Sequence, residues 1–274
     1  CRYVVRVVCF PIMRLISICT AVLLLPVLLF AQGEQDPTAQ SVYEELTARL
    51  ASQATAYKAA RKEMQDSDAF LAARKARDNN KLRKMLRSLR PPDGVALAQE
   101  AIDAAKKFDG DGAAKLLGWA AKTCRNTDMV KDIVGMLEKD YLKSTGMLEL
   151  METGSILARP LGDEAADAFL DKLIATSPHK LVRAWATFWK GNFMRRRGAD
   201  AAIVAASQEL IDKAAEMADG TYLAWKIRGP KFRQEKLQIG MVAPNIVADD
   251  IDGVEFGLYD YRGKVVVLDF WGFW

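Results

Sequence analysis

The chain of 274 residues is poor in the groups that usually do chemistry. It has one His, and its four Cys include no Cys-x-x-Cys and no Cys-x-x-Cys-His. Zinc sites, c-type haem attachment and Cys/His nucleophilic catalysis all need such groupings, so the 274 residues encode none of them, and no cofactor or metal is expected. Three cysteines (Cys1, Cys9 and Cys19) sit at the extreme N-terminus, and only Cys124 lies further on. The four therefore do not form a disulfide framework. Charge of one sign is scarce as well. Arg2, Arg6 and Arg14 precede Glu34 with no acid among them, and the formal net charge of the whole is only +4. The body is close to neutral, and bulk electrostatics select no partner.

What is present begins with an export pattern. Residues 15–33 carry no charge, and Leu15 to Phe30 form an apolar run behind Met13-Arg14. Pro26 breaks the late part of the run, and Ala31-Gln32-Gly33 offers small residues for a cleavage after Gly33. Residues 13–33 are read as a signal peptide and 1–12 as a non-native upstream extension. The run is short for a membrane span, so an uncleaved anchor giving membrane association is the second reading.

Residues 36–238 read as a helical domain. Asp36 with Pro37 opens a helix bearing Val42, Leu46 and Leu50, and Leu82, Met85, Leu86 and Leu89 make a stripe ended by Pro91-Pro92. Further helices are expected over Val95–Phe108, Ala113–Cys124, Asp128–Leu142, Asp163–Thr176, Leu181–Arg197 and Ala201–Ala218. Short loops between amphipathic helices imply antiparallel hairpins in an irregular, repeat-like array without a fixed period. The domain is either a partner-binding region or a plain scaffold. Trp185, Phe188, Trp189 and Phe193 recur at helical spacing and are expected in the core. His179 is expected in a surface loop and Cys124 as a buried, inert thiol. From Lys58 to Arg90 eleven basic residues stand against four acids, which reads as solvated helix faces rather than a nucleic-acid site.

The last 36 residues change character. Lys264 to Phe270 has the composition of a buried strand, and Asp252-Gly253 lies between the alternating stretches Ile246 to Ile251 and Val254 to Leu258, a hairpin signal. The fold class expected is therefore mainly α, followed by the first strands of an α/β domain over residues 239–274. Three phrases here resemble a known family. They are Ile-Gly-Met-Val-Ala-Pro-Asn-Ile (239–246), Phe-x-Leu-x-Asp-Tyr-Arg-Gly-Lys (256–264) and Val-Val-Leu-Asp-Phe-Trp-x-x-Trp (266–274). Their order and spacing resemble those of exported, thioredoxin-like thiol:disulfide oxidoreductases of the TlpA/redoxin group.

The resemblance implies that the strand through Val266 runs into a Cys-x-x-Cys at a helix N-terminus. Trp274 stands directly before the first of those cysteines, so the expectation is a fragment lacking the redox pair and itself inactive. It also implies that Asp269 is a buried proton-transfer acid and that Trp271 and Trp274 shape the active-site surface. The partners implied are protein thiols and disulfides and a thiol electron donor, with no nucleic acid, in the periplasm or cell envelope of a bacterium. Tyr259 and Phe273 depart from the family pattern, where Ser and a small or polar residue are usual. The alternatives are a peroxiredoxin of the alkyl hydroperoxide reductase type and a non-enzymatic exported helical scaffold.

Overall fold

The computed structural model describes residues 37–198, 200–250 and 252–268, and the expected leader at 13–33 falls outside them. The described residues divide into two units, 37–227 and 228–268, taken separately below. The chain is mainly helical, with two short strands near its end.

The helices in order are α1 (Ala39–Asp66), α2 (Asp68–Lys75), α3 (Asn79–Ser88), α4 (Gly94–Ala105), α5 (Gly110–Thr123) and α6 (Thr127–Asp140). Then come α7 (Met147–Met151), α8 (Ala158–Leu161), α9 (Asp163–Thr176), α10 (Lys180–Arg197), α11 (Ala201–Met217) and α12 (Tyr222–Lys236). The first helix does not open at Asp36-Pro37. Thr38 caps it, accepting from the Ser41 amide at 3.1 Å while the Ser41 hydroxyl takes the Thr38 amide at 2.9 Å. That reciprocal pair satisfies two donors, which fixes the start two residues late. Polar side chains that accept a first-turn amide cap α2, α3, α4, α6 and α11: Ser67, Asp78, Asp93, Asn126 and Asp200.

Sequence neighbours pack on one another, with α4 against α5, α9 against α10, and α10 against α11. The core lies between these pairs. Trp119, Phe169, Phe193, Leu116, Ile133 and Leu150 are among its large buried side chains, each contributing about 1.5–3 kcal/mol of burial. Leu46 of α1 reaches this core, while Val42 and Leu50 pack at its edge. The stripe on α3 behaves differently. Leu82, Met85, Leu86 and Leu89 are only half-buried, because α3 lies chiefly against α1 and α2.

The aromatic residues of α10 are core, as expected. Trp185, Phe188 and Phe193 are buried, and Trp189 donates its indole N–H to the Met151 carbonyl at 2.6 Å. Lys226 of α12 lies over Trp185 at 5.2 Å and over Trp189 at 5.6 Å, a cation–π contact inside the same unit.

In residues 228–268 the strands are β1 (Val247–Asp249) and β2 (Glu255–Gly257), antiparallel, with Ala248 opposite Phe256. Two expectations fail here. Residues 239–246, which the resemblance implies to be an entry strand, form no strand, and neither do 265–268, where Val265 and Val267 are 96% and 86% exposed.

 A strand buried on both faces needs neighbours to pair with and layers to cover it. Among the described residues neither lies alongside 265–268. The strands of the hairpin are also shorter than the alternating pattern suggests, for a reason that lies in its turn.

Candidate functional site

The first two redoxin-like phrases flank the hairpin. Asp250 sets its turn: its Oδ1 accepts from the amides of Asp252 and Val254, each at 2.9 Å, and its own amide donates to the Val254 carbonyl at 2.9 Å. An Asp side chain that takes two backbone donors competes with strand pairing, so the ladder stops at Asp249 and Glu255. Gly253 adopts φ 78°, a conformation that costs glycine little and other residues more.

The first and second phrases are tied by side chains. Asn245 Oδ1 accepts from the Tyr259 amide at 2.9 Å, and the Leu258 amide donates to the Ile246 carbonyl at 2.9 Å. Asp260 Oδ2 accepts from the Gly257 amide at 2.7 Å, closing a short 3-10 turn over Leu258–Tyr261. Tyr261 packs edge-on to Phe256 with ring centroids 6.5 Å apart, and Arg262 lies over the Tyr259 ring at 4.0 Å. Tyr259, the departure from the family pattern, is thus accommodated as a half-exposed ring under Arg262. This frame delivers the chain through Gly263 and Lys264 into the third phrase. Asp269, Trp271 and Trp274 lie outside the described residues, so no geometry is assigned to them.

The other residues singled out in the sequence lie in the helical unit. Cys124 is buried at the end of α5, with the Asn126 amide donating to its Sγ at 3.2 Å and Met129 Sδ at 3.4 Å. His179 lies in the loop before α10, half-buried, with its Nε2 3.0 Å from the Lys143 carbonyl oxygen. All eleven basic residues between Lys58 and Arg90 are exposed. Among the described residues no group of three or more His, Cys, Asp or Glu side chains could hold a metal ion, and no helix is long and apolar enough to cross a membrane.

One polar cluster was not visible in the sequence. Glu149 of α7 accepts from the Tyr43 hydroxyl at 3.0 Å and pairs with Lys122. Burial, then the Glu149 charge, pushes the Tyr43 phenol up to about 12. Nearby, Asp111 accepts from the Ser144 hydroxyl at 2.6 Å and from the Thr145 amide at 2.8 Å, and these bonds hold its carboxyl below the ordinary value. Both groups join α5 to α7 and the segment before it. Every partner is supplied by the protein, so the cluster acts as a structural clamp.

Comparison with known proteins places the likeness in one short stretch. Over 42 residues the chain is 48% identical to the thiol-disulfide oxidoreductases ResA of Bacillus thuringiensis subsp. konkukian and Bacillus cereus, covering 15% of this chain and 24% of each relative. Over 36 residues it is 53% identical to ResA of Geobacillus thermodenitrificans, covering 13% of this chain and 21% of the relative. The chain therefore spans about a quarter of the length of the curated relatives it matches. No family model and no solved structure matches it. The likeness is thus to thiol-disulfide oxidoreductases, over that stretch alone.

Proposed function

We propose that the chain belongs to an exported thiol:disulfide oxidoreductase of the TlpA/redoxin type, with residues 13–33 as signal peptide, 36–238 as a helical domain and 239–274 as the start of the redox domain. The observation that carries this reading is the stretch of about 50% identity to thiol-disulfide oxidoreductases. Asn245, accepting from the Tyr259 amide, ties together two of the phrases behind the resemblance.

The chemistry of the group needs two thiols. The first, as thiolate at a helix N-terminus, attacks one sulfur of a substrate disulfide, forming a mixed disulfide and releasing the other substrate sulfur as a thiolate. The second cysteine then attacks the mixed disulfide. The substrate leaves fully reduced, and the enzyme holds an intramolecular disulfide that a thiol donor reduces. Asp269 would accept the proton of the second thiol, and Trp271 and Trp274 would form the apolar surface on which the substrate rests. No Cys-x-x-Cys occurs in these 274 residues, so they are proposed to be inactive alone.

Reading the gene beyond the Trp274 codon tests the proposal. Cys-x-x-Cys is the expected result. A lone Cys after Thr would replace the reading with a peroxiredoxin, and a stop codon would replace it with an exported helical scaffold.

A further inference from the structure

The helical hairpin of α2 and α3 carries charge of almost one sign. Residues 71–90 hold eight basic side chains, all exposed, against one acid, Asp78. None of the eight forms an ion pair with a described residue. Asp78 caps α3, its Oδ1 accepting from the Lys81 amide at 3.0 Å. On α3 the cations Lys81, Arg83, Lys84 and Arg87 recur at three- and four-residue steps, opposite the half-buried stripe that α3 turns toward α1 and α2. Like charges at those steps repel one another along the helix.

The corner between the two helices adds a second observation. The Asp78 amide donates to the Ala73 carbonyl at 2.9 Å and the Arg77 amide to the Arg74 carbonyl at 3.1 Å, and Arg77 has φ 54°. This closing turn ordinarily takes glycine, since a Cβ is unfavourable at positive φ. The fold would be better served by glycine, yet a cation stands there. On α2, Phe70 and Ala73 are buried, whereas Leu71 is 46% exposed, one turn before Arg74 and Lys75. Asp68 also reaches the surface of α2, in the first turn, where it complements the helix dipole.

We infer that the α2–α3 hairpin docks on the anionic surface of a phospholipid bilayer. Its cations lie against headgroup phosphates, and Leu71 enters the acyl boundary beside Arg74 and Lys75. A bilayer surface asks only for clustered cations, and about four to eight on one short segment suffice. A protein interface is centred on aromatic side chains, with charge depleted from its middle, and residues 71–90 contain no aromatic residue. Single-stranded nucleic acid needs rings for stacking, which the hairpin equally lacks. A duplex backbone would neutralise the cations but offers Leu71 no apolar phase, which a bilayer does. The inference goes beyond the redox reading and does not depend on it.

Tryptic footprinting of the full chain tests it, on vesicles of phosphatidylcholine and on equimolar phosphatidylcholine and phosphatidylglycerol. Cleavage after Arg74 and Lys75 is followed by mass spectrometry against the exposed Lys131 of α6. This readout is local, so it reports on the hairpin whether or not residues 13–33 also hold the chain on the vesicle. The mixed vesicles are expected to slow cleavage at Arg74 and Lys75 severalfold relative to Lys131, and the neutral ones to leave it unchanged. Each cation near an anionic surface contributes about fivefold in affinity, so joint Lys81→Gln, Lys84→Gln and Arg87→Gln should abolish the protection, as should high salt. Arg77→Gly should weaken the protection while keeping or raising the melting temperature. Absence of protection, equal protection on neutral vesicles, or indifference to the triple substitution would overturn the inference. An equal footprint on duplex DNA, lost in the triple variant but unchanged by Leu71→Ser, would assign the hairpin to a phosphate polymer instead. Arg77→Gly that melts lower with an unchanged footprint would make Arg77 structural and also contradict the inference.

Discussion

Tyr43 and Glu149 lie 106 positions apart, and the Tyr43 hydroxyl donates to Glu149 Oε2 at 3.0 Å. This bond joins the first helix to α7, on the far side of α5 in the sequence. The neutral phenol is the form that the fold favours, since burial and the Glu149 charge raise its pKa from 10.0 to about 12. The stabilisation is complete below pH 10, and it is lost as pH rises from 10 through 12. Melting temperatures across that window should fall more steeply for the native chain than for Tyr43→Phe. Parallel curves would contradict the assignment.

Asp111 gives the opposite sign. Hydrogen bonds from Ser144, then Thr145, hold its carboxyl below the ordinary value, so its contribution is present above that value and fades as pH falls through the folded pKa. Asp111→Ala is expected to cost about 1–2 kcal/mol at neutral pH, and the cost should shrink under acid conditions. Denaturant titrations at several pH values measure this, and a cost that does not vary with pH would contradict it.

Gly154 sits where no side chain fits. A Cβ there would stand 2.5 Å from Trp189 Cδ1, whose indole is fixed by its bond to the Met151 carbonyl. Gly154→Ala should destabilise by about 1–3 kcal/mol and alter the near-ultraviolet circular dichroism of the tryptophans. An unchanged spectrum and melting point would show that the indole moves freely.

Local pattern made much of the helical unit legible. The expected helix Asp163–Thr176 matches α9, and the expected Leu181–Arg197 misses only the first residue of α10. Apolar periodicity and Gly or Ser stops carry that information within a few residues. The start of α1 lies at Thr38 rather than Asp36-Pro37, because the Thr38–Ser41 pair supplies the cap. The clamp of Tyr43, Lys122 and Glu149 was not legible, since its members are far apart in sequence and their types are common on helix surfaces. In the hairpin the turn was placed correctly, but the Asp250 side chain shortened both strands. The candidate site residues Asp269, Trp271 and Trp274 rest on the resemblance, because a strand of this kind acquires its environment only from a complete sheet.

If residues 13–33 are a signal peptide, the exported product should begin near Glu34. N-terminal sequencing of secreted or periplasmic material checks this. A chain that retains Leu15 to Phe30 would indicate an anchor.

Insulin reduction with a thiol donor tests the central claim most directly. The 274 residues alone should reduce insulin no faster than the donor does. The same chain continued past Trp274 with a Cys-x-x-Cys helix and about 100 further residues, enough to close a thioredoxin-like core, should be active. Equal activity in both, abolished by Cys124→Ser, would place the working thiol in the helical unit and contradict the account.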